Sequence, residues 1–163
     1  MLLARFVRFF TRFRRLQPVV GRLHAFLLRH SGGRLHRSLL LAGGQPVLAL
    51  TTTGRRSGKK RATVVAYLRE GDAYAVGAVN LGSDRTPAWC LNLLADPDAE
   101  IEVSGRRIQV RARRAEGEEA SRLWERFFEQ LPATRHSLAL ADREVPVIVL
   151  EPRTAVEAAS PGN

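Results

Sequence analysis

Residues 47–61 read VLALTTTGRRSGKKR, an apolar run that leads through three threonines into a turn with two glycines and five cations. The apolar and β-branched residues predict a strand, and Gly54 and Gly58 predict the turn that follows it. Glycine permits positive φ and close backbone approach, so main-chain N–H groups in such a turn can point at an anion. The stretch therefore predicts either a strand that ends in an anion-binding site or a solvated basic hairpin loop.

The turn differs from the phosphate-binding loop of Walker type. The interval from Gly54 to Gly58-Lys59 is one residue short, and Lys60 stands where a serine or threonine would bind magnesium. An anion here would instead be held by charge-assisted hydrogen bonds, which are worth about 1.5–3 kcal/mol each.

Composition predicts one domain with one core, because the chain has 163 residues of which 45% are hydrophobic. The net charge of +10 is unevenly distributed: residues 1–69 hold 15 Lys and Arg and no acid, whereas residues 70–163 hold 11 against 16 acids. No zinc-finger, homeodomain or aromatic RNA-reading signature accompanies the basic half, so we expect no nucleic-acid partner. The single cysteine, Cys90, excludes a disulfide within the chain, and the histidine spacing predicts no metal site.

The first residues, 2–16, have helical periodicity with two contrasting faces. One face carries arginines and the other is apolar: Arg5, Arg8, Arg12 and Arg15 lie opposite Leu2, Leu3, Phe6, Val7, Phe9, Phe10, Phe13 and Leu16. This pattern is typical of a helix in an anionic lipid interface. Packing on a protein surface and an Arg-rich targeting segment are the alternatives. A second helix is predicted from Pro18 to about Ser31, and no apolar run is long enough to span a membrane.

From Gln45 onward the pattern predicts short strands and helices. Strands are expected at 47–52, 63–69, 73–79, 99–103, 106–113 and 145–150, with hairpins at Glu70-Gly71-Asp72 and Ser104-Gly105. One helix is expected from Pro87 to Asp96, capped by Thr86, and another from Glu118 to Leu131, ended by Pro132 before a polar connection. We therefore expect an α+β fold, a small antiparallel split β-barrel with flanking helices. The predicted division is a basic N-terminal segment (1–44), the barrel (45–152) and a flexible tail (153–163).

Four stretches in this order and spacing, LALTTTGRRSGKKR, YLREGD, NLGSDRTPAWCLNLLADPDAEIEV and DREVPVIVLEP, resemble the deazaflavin (F420)-dependent nitroreductase family. The resemblance covers about residues 45–152, and it is closest to the quinone-reductase branch of these actinobacterial proteins. It implies an F420H2-dependent oxidoreductase that transfers a hydride from the reduced deazaflavin to quinones, or to nitroaromatic and other activated acceptors. The phosphate and polyglutamate tail of this coenzyme would suit the cationic turn.

The resemblance also implies a set of coenzyme-binding residues. Those expected at the phosphate and tail are Arg55, Arg56, Ser57 and Arg61, with Lys59 and Lys60 as outer charges. Those expected around the ring system are Thr63, Val64, Val65, Gly77, Ala78, Val79, Asn80, Ala88, Trp89 and Asn92. Read without the family, Trp89 is equally typical of a core aromatic residue. No catalytic residue is identified, because the coenzyme carries the hydride.

Three departures from the family pattern concern the ring and the acceptor. Val79 stands where a serine is frequent, and Leu81 replaces one glycine of an Asn-Gly-Gly run. Tyrosines of the nitroimidazole-activating members are replaced in the expected substrate pocket by Leu131, Thr134 and Ser137, so activation of nitro prodrugs is not expected. His136 or Ser137 is the candidate proton donor.

Together the features predict a cytoplasmic protein, peripheral on the inner face of the cell membrane. Residues 2–16 would contact the anionic surface and the barrel would reduce a lipophilic quinone. The alternative is a non-catalytic F420-binding or membrane-surface interaction protein whose substrate pocket has decayed.

Overall fold

The computed structural model describes residues 37–38, 45–80 and 84–153. The strands within these ranges are β1 Arg37–Ser38, β2 Gln45–Thr53, β3 Lys60–Ala66, β4 Leu68–Glu70, β5 Ala73–Gly77, β6 Asp98–Val103, β7 Arg106–Arg114 and β8 Val147–Pro152. The helices are α1 Ala88–Ala95, α2 Gly117–Gln130 and α3 Pro132–Ala139. None of these helices is both long enough and apolar enough to cross a membrane.

All strand pairings are antiparallel, and the sheet runs in the order β1-β2-β6-β7-β8-β5-β4, with β3 paired to β2. The sheet curls into a half-barrel, so the predicted split-barrel fold is confirmed. The predicted N-terminal helices lie outside the described residues, and so does the tail after Arg153. The division into three parts stays a prediction.

Two apolar clusters pack on opposite faces of the sheet, as strand alternation requires. Leu48, Leu50 and Ile101 point into the barrel, where they are fully buried with Val76 and Leu150. The outer face of β4, β5 and β8 buries its side chains against α2 instead. This outer cluster comprises Leu68, Ala75, Ala115, Leu123, Phe127, Val147 and Val149.

Ion pairs attach α2 to the β4–β5 hairpin. Glu70 accepts hydrogen bonds from Arg122, at 2.7 Å, and from Arg126. Arg126 also donates to the main-chain oxygen of Arg69, at 2.9 Å. The helix is thus held by charges at its exposed edge as well as by its apolar face.

The two predicted hairpins are confirmed, and both need left-handed backbone at the turn. Gly71 has a φ of 56°, while Ser104 and Gly105 have φ of 50° and 77°. Glycine adopts this conformation without a steric penalty, which explains its place in each turn.

Three local predictions were wrong. Thr86 does not cap α1, because Pro87 is the N-cap residue and no side chain caps the helix. The expected polar connection after Pro132 begins as a helix, α3, since proline is well suited to a first helical position. The expected strand 63–69 is divided at Tyr67 into β3 and β4, because the two parts pair with different partners.

This division opens a fork in the barrel. The β4–β5 register pairs Leu68 with Ala75, and its continuation would place Val65 opposite Ala78. Beyond Tyr67, however, β3 pairs along β2, and the Tyr67 N–H donates to Pro46 O at 3.3 Å. The strands β3 and β5 therefore touch without forming a ladder. We call the space between residues 63–65 and residues 78–80 the fork.

Candidate functional site

The turn between β2 and β3, residues 54–59, is a compact hydrogen-bonded loop. The N–H groups of Ser57 and Gly58 both donate to Gly54 O, at 3.0 and 2.7 Å, and Gly54 N–H donates to Lys59 O at 2.9 Å. A Cβ at Gly54 would lie 2.8 Å from the Ser57 hydroxyl oxygen, so no larger residue fits there without a shift. Gly58 has a φ of 63°, which closes the turn. The sequence pattern predicted the turn correctly, but the expected main-chain anion contacts were wrong, because the N–H groups of Gly54 and Gly58 are both bonded within the turn.

All five cations of the turn and the start of β3 are exposed: Arg55, Arg56, Lys59, Lys60 and Arg61. Lys60 donates to the Thr53 hydroxyl at 3.0 Å, and no carboxylate of the described residues forms an ion pair with any of the five. Exposed cations without acidic partners keep their full charge available for an anionic ligand. The loop fits a polyanion.

Asn92 connects this turn to α1. Its side chain is only 5% exposed. Its Nδ2 donates to the Thr52 hydroxyl at 3.0 Å, and its Oδ1 accepts the Arg55 N–H at 3.1 Å. Both ends of the amide are therefore engaged by protein, and Asn92 holds the turn against α1.

Three apolar side chains from different elements remain partly exposed at the edge of the interior cluster. Val65 of β3, Val79 after β5 and Trp89 of α1 are half-buried, and all three pack against the interior cluster. Thr63 and Val64 are also half-buried, whereas Ala88 at the start of α1 is exposed. The half-buried side chains of Val65 and Val79 thus border the fork from its two sides and give it a partly exposed apolar lining, suitable for a flat ring system.

The chain segment that leaves β5 is held by hydrogen bonds beyond the last assigned pair of β5 and β8. Ala78 is fully buried; its N–H donates to Pro146 O at 3.0 Å, and its carbonyl accepts Arg143 Nη2 at 2.6 Å. Asn80 has a φ of 44°, and its Nδ2 donates to Arg85 O at 2.8 Å. This part of the expected ring site has a defined backbone path.

Gly77 faces the other side of the sheet. A Cβ at this position would lie 3.0 Å from the indole of Trp124 in α2. The glycine thus allows Trp124 to lie directly on the backbone at the end of β5, and any contact of Gly77 with a ligand would be through its main chain.

The expected substrate residues lie at the junction of α2 and α3. Leu131 is half-buried and packs against the outer cluster, on the side of α2 rather than with Trp89. Thr134 is half-buried in the first turn of α3, and its N–H donates to Leu131 O at 2.8 Å. Ser137 belongs to the same helix, and its side chain lies outside the described residues; His136 is exposed.

Two titratable groups near the barrel interior are shifted towards their neutral forms. Burial raises the pKa of the Cys90 thiol to about 11, although Arg143 and Arg114 oppose the shift. Burial also raises the pKa of Tyr67, and the neighbouring Tyr74 adds to this effect. Both groups are neutral at physiological pH, and Cys90, which is fully buried, is not an available nucleophile.

Sequence reasoning missed three residues that support the candidate site: Thr52, Arg143 and Trp124. Thr52 could have been found, because it alternates with Leu48 and Leu50 on the inward face of β2 and a buried hydroxyl needs a partner. Arg143 and Trp124 could not, since each contacts the end of β5 only in the folded chain.

Comparisons with known proteins agree on one family. A family model described as F420H(2)-dependent quinone reductase matches residues 20–152. An F420H(2)-dependent quinone reductase of Mycobacterium tuberculosis is 37% identical over 137 residues, which cover 81% of this chain and 89% of that protein.

Solved structures agree in fold. A structure described as an F420-H2 dependent reductase (FDR-A) has a TM-score of 0.60 and 32% identity, and the match covers 65% of this chain and 94% of that one. A heme binding protein from Mycobacterium smegmatis has a TM-score of 0.52 at 22% identity, covering 77% of this chain and 52% of that one. The second likeness concerns the fold alone.

Replacement of Asn92 by leucine tests the attachment of the turn. Asn92→Leu leaves the Thr52 hydroxyl and the Arg55 N–H without their partner, so we expect a loss of about 1–3 kcal/mol in the free energy of unfolding. The Arg55 amide should also exchange its hydrogen faster. Gln109→Leu, which removes an exposed amide bonded to Glu100 at 2.9 Å, is the control and should change stability by less than about 0.5 kcal/mol. Equal stability and equal Arg55 exchange in Asn92→Leu and wild type would contradict this attachment.

The Cys90 pKa predicts a pH dependence. Because the folded-state pKa is raised from 9.0 to about 11, its contribution to stability is fully present below pH 9.0 and is lost as the pH rises through 11. Wild type should therefore lose more free energy of unfolding across this window than Cys90→Ala does. Urea titrations of both proteins at pH 8, 9, 10 and 11 measure the difference. The prediction is contradicted if the free energy of unfolding falls with pH equally in both proteins.

Proposed function

The chain belongs to the F420H(2)-dependent quinone reductase family, and we propose that it transfers a hydride from reduced F420 to lipophilic quinones at a membrane surface. It is thus an oxidoreductase that uses coenzyme F420. The observation that carries the proposal is the pairing of an exposed cationic turn with an apolar fork on the same strand, β3. The first residues of β3, next to the turn, suit a polyanion, and residues 63–65 suit the deazaflavin ring.

The turn receives the phosphate and tail of the coenzyme. Arg55, Arg56, Ser57 and Arg61 supply the direct contacts, and Lys59 and Lys60 attract the anion from a distance. Three or four charge-assisted contacts of about 1.5–3 kcal/mol each supply most of the roughly 8 kcal/mol that micromolar binding requires, before the costs of ordering the loop and ligand are subtracted.

The fork receives the ring. Thr63, Val64 and Val65 border one side, and Gly77, Ala78, Val79 and Asn80 border the other. Trp89 closes the apolar lining, Ala88 flanks it, and Asn92 holds the turn in place. When bound, the coenzyme supplies the hydride; the protein orients the ring and keeps water from it.

The proposed acceptor site is the junction of α2 and α3. Leu131 and Thr134, both half-buried there, would contact the acceptor, with Ser137 of the same helix as the third expected contact. Such a site favours an apolar quinone, because it presents little polar surface that would need compensation. Nitroaromatic and other activated acceptors are the secondary class.

Residues 2–16 bring the enzyme to its substrate. These residues lie outside those that the structure describes, and the proposal for them rests on the two-faced sequence pattern. Four arginines near an anionic leaflet contribute at most about 4 kcal/mol, so burial of the phenylalanines supplies the remainder. The location is then cytoplasmic, on the inner face of the cell membrane.

An anaerobic assay with matched charge variants tests the enzyme proposal. We expect wild type to bind F420 and to oxidise F420H2 in the presence of menadione. Arg55→Glu and Arg61→Glu should each weaken coenzyme binding about tenfold or more, because each loses a charge-assisted contact and adds repulsion.

Arg106→Glu makes the same charge change at an exposed site in β7 and is the control. Coenzyme oxidation no faster than without protein would refute the enzyme; tight binding without turnover on quinones, nitroaromatics or enones would favour a coenzyme carrier. Equal loss of binding in Arg106→Glu would show that only net charge matters.

Vesicle sedimentation tests the role of residues 2–16. Full-length protein should pellet with vesicles that contain anionic lipid, and a variant without residues 1–16 should stay in the supernatant, since both its arginines and its apolar face are gone. Both proteins should turn over a water-soluble quinone equally. Pelleting of the shortened protein would refute the interfacial helix.

A further inference from the structure

We propose that Arg143 is a positioning residue for the coenzyme ring: by holding the carbonyl of Ala78, it directs the main-chain N–H of Val79 into the fork. The inference rests on the proposed function, in which residues 77–80 border the ring. It assigns a role to a side chain that is distant in sequence from every residue expected to contact the coenzyme.

The contacts of Arg143 are specific. Its Nη2 donates to Ala78 O at 2.6 Å, and its Nη1 donates to Glu144 O at 3.1 Å. Ala78 also donates its own N–H to Pro146 O at 3.0 Å. Both main-chain polar groups of Ala78 are therefore tied to the segment 143–146, which leads into β8.

The Arg143 hydrogen bond replaces one that the β5–β8 ladder cannot supply. The assigned pairing stops at Gly77 opposite Val147, and on its other edge β5 pairs only with β4. Ala78 continues the register opposite Pro146 and donates to its carbonyl, but the proline nitrogen has no hydrogen to donate back to the Ala78 carbonyl. A donor from a side chain is required to fix its direction, because a buried carbonyl needs a partner.

The direction of the next N–H follows from peptide geometry. The carbonyl of Ala78 and the N–H of Val79 belong to one planar trans peptide and point in opposite directions. In an extended chain the N–H and the carbonyl of one residue share an edge, and those of the next residue use the other edge. Since Ala78 turns both groups towards the β8 side, Val79 N–H points to the fork.

An N–H in this place fits a hydrogen-bond acceptor on the edge of a planar heterocycle. The guanidinium on the carbonyl also polarises the peptide, which strengthens the N–H as a donor. The apolar side chain of Val79 can then pack on the interior cluster while its main chain recognises the ligand. Arg143 consequently acts on the ring through Val79 and does not touch it.

Variants of Arg143 and a matched control test this role. Arg143→Met should weaken F420 binding roughly tenfold or more, as expected for loss of a charged hydrogen bond, and Arg143→Lys should lose less. The control is Arg126→Met, because Arg126 likewise donates to a main-chain carbonyl, that of Arg69 at 2.9 Å, but lies at the far edge of α2. It should lower the melting temperature and leave the dissociation constant within about twofold.

A readout without coenzyme separates positioning from general stability. The amide resonance of Val79 should shift in Arg143→Met and stay in place in Arg126→Met. F420 binding within twofold of wild type in both Arg143 variants, or equal weakening in Arg126→Met, would overturn the inference. If Arg143→Met does not fold, Arg143→Lys decides by the same criteria. Failure of wild type to bind F420 would instead refute the proposed function.

Discussion

The position of the candidate site depends on one strand pairing. β3 pairs with β2 and forms no ladder with β5. The pairing of β3 with β2 extends from Val47–Ala66 to Thr53–Lys60, the two residues that flank the turn. This local pairing costs little loop entropy, and it draws β3 away from β5 past Tyr67. A closed barrel would have no fork. Residues 63–65 of β3 and the end of β5 border the gap that this pairing leaves, and the cationic turn leads directly into β3.

Charge distribution separates the turn from the rest of the surface. The arginines of β7 are mostly neutralised by neighbouring acids: Arg107 pairs with Glu102, Arg111 with Asp98, Arg113 with Glu119 and Glu151, and Arg114 with Glu144. The hydrogen bonds of Glu119 and Glu151 raise the pKa of Arg113 further. No such partner meets the turn among the described residues. Among the described residues, the cations of the turn therefore form a concentrated positive patch, which an anionic ligand would require.

Sequence patterns predicted the local features of this fold and not the tertiary ones. The turn at Gly54 and Gly58, the hairpin at Gly71 and the helix stop at Asp96 depend on neighbouring residues, and each was found. The break at Tyr67 depends on a competition between two strands, which no window of sequence contains. The helix after Pro132 was missed because its residues have weak amphipathic periodicity. In the site, the pattern identified the cations, whereas the engagement of Asn92 with Thr52 and Arg55 required the fold.

The fold alone does not assign the chemistry, since a heme binding protein shares it at 22% identity. In the proposed site the two parts of β3 would have different tasks. Contacts between the turn and an anionic tail would be the same before and during hydride transfer, so they would set affinity and not rate. The rate would depend on how the ring is oriented, and this would be decided by buried backbone such as Ala78, which is fixed from two directions. Binding and chemistry can therefore vary separately: the exposed cations can change without moving the ring, and the acceptor junction at Leu131 can change without loosening the tail.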